Sequence, residues 1–84
     1  MTYRVFICQA AVDAIAQSRG NQKKRLTAFV RSLETDPYNE GDFREEDESG
    51  RPCYTKVVQD FAVSYYPDHA VKEVKVFEVS RADR

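Results

Sequence analysis

Eighty-four residues, 42% apolar and 32% charged, suffice for one hydrophobic core, so a single domain over residues 1–84 is predicted and wholesale disorder is excluded. The net charge of −1 is not the basic excess of a typical nucleic-acid binder, and no apolar run approaches the roughly 20 residues of a membrane span. Met1 to Cys8 lacks the long apolar stretch and cleavage site of a signal peptide, which makes the cytoplasm the expected compartment.

Tyr3 to Cys8 is rich in β-branched and aromatic residues and predicts a first strand. Ala10 to about Arg19 turns helical, with Val12, Ile15 and Ala16 recurring at helical spacing. Gln17 to Arg25 offers no apolar side chain, so one continuous helix would leave more than two turns without a core face. Gly20-Asn21 supplies a stop for the first helix and an N-cap for a second. In that second helix Leu26, Phe29, Val30 and Leu33 fall on one stripe, and Pro37 ends it. The tight basic turn should pack the two helices as an antiparallel pair. Lys23-Lys24-Arg25 opposes the dipole at the second helix's start and reads as a solvated surface or a contact for an acidic partner or nucleic acid.

Beyond Pro37 the period changes. Phe43 lies in a short strand inside an acidic stretch from Glu40 to Glu48, and Glu48-Ser49-Gly50-Arg51 reads as a turn. Cys53 to Val58 places Tyr54, Lys56 and Val58 on one side and Thr55 and Val57 on the other. Gln59-Asp60 makes a tight connection, where glycine would serve better. Phe61, Val63 and Tyr65 then alternate with Ala62, Ser64 and Tyr66. Pro67-Asp68 predicts a type I turn with His69 at the surface beside it. Val71 to Val79 is the last strand, and its phase change between Val76 and Phe77 indicates a bulge or burial on both faces. The class is α+β in the order β-α-α-β-β-β-β, with a helix hairpin on a largely antiparallel, twisted sheet. Two distant cysteines and one histidine make neither a disulfide framework nor a zinc site, and both thiols read as reduced and half-buried.

The hairpin ending in Leu33-Glu34-Thr35-Asp36-Pro37-Tyr38, the run from Tyr54 to Tyr66 and the segment Val74-Lys75-Val76-Phe77-Glu78-Val79 together resemble the RelE/ParE superfamily of bacterial toxins. The likeness covers nearly the whole chain as a pattern of elements. It implies a toxin subunit paired with a small antitoxin that wraps it, with no cofactor, no metal and no membrane partner. RelE-type members cut mRNA on the ribosome, ParE-type members inhibit DNA gyrase by binding, and self-association as a homodimer is a further option.

Metal-free RNA cleavage needs a base for the 2′-hydroxyl, cations for the charge growing on phosphorus and an acid for the leaving oxygen. Many members carry an aromatic-arginine pair where this chain has Phe61-Ala62, so the arginine is missing. The resemblance leaves Lys56, Arg51 and Arg81 as candidate catalytic cations, and no tyrosine or histidine follows Arg81. Lys56 otherwise reads as a lysine on the open face of the sheet, and Arg81 as a tether for the tail. Tyr54, Tyr65 and Tyr66 read as an aromatic platform for bases or as sheet packing. The expected function is a toxin-like subunit acting through protein binding. The alternatives are a metal-independent mRNA endoribonuclease and a non-toxic interaction module.

Overall fold

The computed structural model describes residues 2–82. Its sheet is organised around β4 (Phe61–Asp68), which alternates buried and half-buried residues and lies between β5 (Glu73–Arg81) and β3 (Pro52–Val58). A short β2 (Phe43–Glu46) forms one edge and β1 (Arg4–Ile7) the other, in the order β1-β5-β4-β3-β2. All pairings are antiparallel except β1 with β5, which is parallel. This is the expected α+β architecture, and the parallel pairing settles where the first strand goes.

Two helices, α1 (Gln9–Gln17) and α2 (Gly20–Ser32), cover one face of the sheet. Leu26, Val30 and Leu33 sink into the core with Phe61, Val63 and Tyr65 of β4 and Val74, Val76 and Val79 of β5, while Phe29 is partly buried at the margin. Burial of each such side chain stabilises the fold by roughly 1.5–3 kcal/mol relative to exposure. In α1 the buried residue is Ala11, joined by half-buried Ala14 and Ile15, whereas Val12 is 40% exposed. The stripe is therefore rotated from the one its larger residues suggested, because alanine lets α1 approach the sheet closely. Arg19, not Asn21, is the N-cap of α2, and no side chain caps it. No helix among the described residues is long and apolar enough to cross a membrane.

Ser64 pairs with Glu78 and Tyr65 with Val76, so Phe77 is the extra residue of a bulge on β5, as the phase change predicted. The turn expected at Pro67 is instead strand: Pro67 pairs with Val74 and Asp68 with Glu73, and the chain reverses after His69. At Pro67 the paired residues of β3 have ended and β4 borders β5 alone, an edge position that tolerates the missing N–H. Both cysteines are free, but Cys8 is exposed rather than half-buried.

The acidic stretch after α2 is tied down by specific bonds. Tyr65 Oη donates to the Asn39 carbonyl at 2.7 Å, and Asp42 N donates to Thr55 O at 2.7 Å. Between them Gly41 has φ +63°, and a Cβ there would stand 2.6 Å from Thr55 O. Farther on, Asp47 Oδ1 accepts from the amides of Ser49 and Arg51, each at 2.9 Å, which shapes the turn before β3.

Two substitutions test this packing by urea unfolding. Leu33→Ala should cost about 2–5 kcal/mol, and a loss under about half a kcal/mol would mean that the α2 stripe faces water. Gly41→Ala should cost about 1–3 kcal/mol from left-handed strain, with the clash against β3 added.

Candidate functional site

Helices cover only one face of the sheet, so the opposite face is where alternating side chains reach solvent. The register assigns that open face to Arg4 and Phe6 on β1, Thr55 and Val57 on β3, Ala62, Ser64 and Tyr66 on β4, and Lys75, Glu78 and Ser80 on β5. Its centre carries no cation: Val57 pairs with Ala62, Ala62 with Ser80, and Ser64 with the acidic Glu78. Beside them Thr55 Oγ1 and Ser64 Oγ share a hydrogen bond at 3.1 Å.

The open-face cations of the strands gather toward one end. The Arg51 guanidinium lies 4.5 Å from the Tyr66 ring centroid, and Lys75 Nζ approaches the same ring at 6.0 Å. Lys75 and Arg4 both contact Glu73, at 3.5 and 3.0 Å, so one carboxylate offsets part of their charge. Phe77, 42% exposed, packs 6.0 Å from Tyr66, and Phe6 is 43% exposed beneath Arg4. The result is an aromatic and cationic patch rather than a ring of cations about one point.

The three candidate cations do not converge. Arg51 is on the open face, beside Tyr66. Lys56 pairs with Val63 and so projects to the helix-covered side, not to the open face expected of a plain surface lysine. There it contacts Asp42 at 3.5 Å and borders a groove with Arg25 and Phe29. Arg81 pairs with Phe61, and its guanidinium lies 5.4 Å from that ring, at the far end of β5. Two strand spacings and two residues along β5 separate Arg81 from Lys56, about 12 Å by ordinary sheet geometry. The tyrosines also divide. Tyr54 and Tyr65 face the helices with centroids 6.0 Å apart, while Tyr66 faces the other way, so the three form no common platform. Burial pushes the Tyr65 phenol well above its ordinary range.

Sequence reasoning left His69 alone on a turn, but the fold gives it two aromatic neighbours. Tyr3 Oη lies 2.7 Å from His69 Nδ1, and Tyr38 stacks on the imidazole at 4.7 Å and 15°. The Tyr38 hydroxyl beside it, and then burial, raise the Tyr3 phenol. This knot ties the chain start to the segment after α2 and to the β4–β5 turn. A separation of 66 residues in sequence hides it from any local pattern.

A second missed feature is an apolar groove of about 210 Å³ between the helices, lined by Ile7, Val12, Ile15, Thr27 and Val30, with Arg31 at its rim. It adjoins β1, whose second edge carries no strand among the described residues.

These features together define a two-helix, five-stranded α+β protein, and its fold is the one seen in solved RelE structures. The archaeal RelE-RelB complex from Pyrococcus horikoshii matches with a TM-score of 0.83 at 24% identity, covering 100% of this chain and 99% of that one. A double arginine-to-alanine mutant of the E. coli toxin RelE in the free state gives 0.75 at 16% identity, covering 99% and 86%. The toxin-antitoxin complex RelBE from Mycobacterium tuberculosis gives 0.76 at 15%, covering 96% and 99%. No protein-family model and no curated protein matches the sequence.

Asp42 makes the Lys56 region sensitive to acid. Its Oδ2 accepts the Val57 N–H at 2.8 Å, which holds the carboxyl below its ordinary range, with Lys56 adding to the effect. A depressed folded-state pKa stabilises the fold fully above the unfolded value, near 3.9, and that stability is lost as pH falls through the folded value. Urea unfolding from pH 6 down to pH 2.5 should therefore show a smaller acid loss for Asp42→Asn than for the parent. Equal losses would mean that Asp42 does not contribute.

Proposed function

We propose that this chain is the toxin-like subunit of a type II toxin-antitoxin pair and acts by binding a protein target. The observation that carries the reading is the centre of the open sheet face, where Thr55, Val57, Ala62 and Ser80 stand without a cation among them. Phosphorus-centred chemistry needs donors converging on one oxyanion, and losing one such donor typically costs about 10²–10³ in rate. A protein target requires only a complementary surface, and the patch around Phe6, Tyr66 and Phe77, rimmed by Arg51 and Lys75, provides aromatic and arginine anchors of the kind that dominate interfaces.

The toxin-antitoxin pairing rests on the fold likeness to complexes of that kind. An antitoxin arm is accommodated by the apolar groove between α1 and α2, where an amphipathic helix can lie, and by the adjoining edge of β1, where a strand can add. The second reading is a metal-independent ribonuclease acting on ribosome-bound mRNA. Arg51 and Lys75 beside Tyr66 favour it, since they join two cations to a stacking ring on one face.

Expression without any partner separates these readings. Growth arrest without ribosome-dependent mRNA cuts is the expected outcome, with inhibition of gyrase supercoiling as the first target assay. Ribosome-dependent cleavage abolished by Arg51→Ala would establish the ribonuclease, and unaffected growth would leave a non-toxic interaction module. For the partner, Val12→Glu should weaken the complex with a co-expressed antitoxin by at least about tenfold, measured by titration, because it places a charge in an apolar groove.

A further inference from the structure

The two edges of the sheet differ in kind. At one edge β2 presents Phe43-Arg44-Glu45-Glu46, all exposed, and such a run of charge guards a strand against pairing with another. At the other edge β1 reads Arg4-Val5-Phe6-Ile7, and the charge of Arg4 is met by Glu73 at 3.0 Å. Arg4 N donates to Lys72 O and Cys8 N to Val76 O, so the even-numbered residues of β1 direct their backbone to β5. Val5 and Ile7 between them turn their N–H and C=O groups outward, to an edge with no strand among the described residues. At Tyr3 that edge is closed by the Glu34 carbonyl, which accepts the Tyr3 N–H at 2.8 Å.

We propose that a second copy of this chain pairs antiparallel along the β1 edge, about a two-fold axis at Phe6. Val5 of each copy then meets Ile7 of the other as a hydrogen-bonded pair, and Phe6 meets Phe6 of the second copy on the open face. The edge is self-complementary in that register. Half-buried Val5 and Ile7 lie together on the helix side, and Phe6, 43% exposed, gains an aromatic neighbour at the axis. Arg4 comes opposite Cys8 of the second copy, so no like charges face each other along the strand. Flanking charges agree as well. Arg31 rims the apolar groove beside Ile7, and Glu34 stands beside Tyr3 at the other end of β1. Antiparallel pairing therefore brings the Arg31 end of one copy to the Glu34 end of the other. Because Ile7 lines that groove, the two grooves also meet along the seam. The pairing does not depend on the toxin reading, but it uses the edge to which a partner's strand can add, so partner and second copy exclude each other.

Sedimentation equilibrium of the full chain alone tests the proposal, and a reversible monomer–dimer equilibrium is expected. Val5→Pro removes an outward N–H while leaving the bonds to β5, and should weaken the dimer at least tenfold. Phe6→Glu, at an exposed position, should do the same by setting two carboxylates against each other at the axis. Arg44→Pro, on the charged edge, should leave the dimer unchanged, with circular dichroism checking that each variant is folded. Register is tested separately by Arg4→Cys, which sets a thiol opposite native Cys8 of the second copy, at a spacing that a disulfide can bridge. Within one chain the two positions are about 13 Å apart by strand rise, so oxidised glutathione should produce a covalent dimer of this variant and not of the parent. A chain that stays monomeric at every concentration would overturn the proposal. So would a dimer indifferent to both Val5→Pro and Phe6→Glu, or one weakened equally by Arg44→Pro. A dimer in which Arg4→Cys gives no cross-link would overturn the register about Phe6.

Discussion

The alternation along β4 is the constraint on which this molecule depends. Phe61, Val63 and Tyr65 must all point toward the helices, because a slip of one residue would exchange them for Ala62, Ser64 and Tyr66. Both neighbours are held in the same phase: Tyr54 and Val58 on β3, and Val76 and Val79 on β5, complete the apolar layer. Between them the bulge at Phe77 lets β5 keep Val76 and Val79 on the core side although they are three residues apart. The α2 stripe then closes over a surface whose shape is already set.

The same alternation divides the chemistry. Lys56 is next to Val57 in sequence but on the opposite face, so it cannot serve the surface that presents Ala62. Its partner Asp42 is itself placed by the Val57 amide, and the pair belongs to the edge of the sheet where the loop after α2 runs alongside β3. Arg51 escapes this rule because it precedes β3 and reaches Tyr66 from the turn. The open face thus carries its cations at the margins, with Thr55, Val57, Ala62 and Ser80 between them.

Charge that looks excessive in sequence has local work in the fold. Asp47 organises a turn, Asp42 satisfies an edge amide, and Glu73 bridges Arg4 and Lys75. The basic start of α2 has no comparable internal explanation in Lys23 and Lys24, which stay exposed at the end of the helix that prefers anions. Around His69, by contrast, aromatic packing and the Tyr3 hydrogen bond join three segments.

Periodicity alone determined the element order, the α2 stripe and the β5 bulge, because each is a local pattern of apolar side chains against a fixed backbone repeat. The gap at Ala62 was legible only through the family resemblance, as a matter of residue identity. Pro67 was misread because a turn propensity was outweighed by pairing with β5 at a position where β3 no longer competes. The α1 face was misjudged because close packing favoured Ala11 over the larger Val12. Only the tertiary structure decided that β1 joins β5 in parallel, that Lys56, Arg51 and Arg81 stand apart, and that Tyr3, Tyr38 and His69 meet. These relations depend on strand register and on contacts between residues far apart in the chain, and a one-dimensional pattern carries neither.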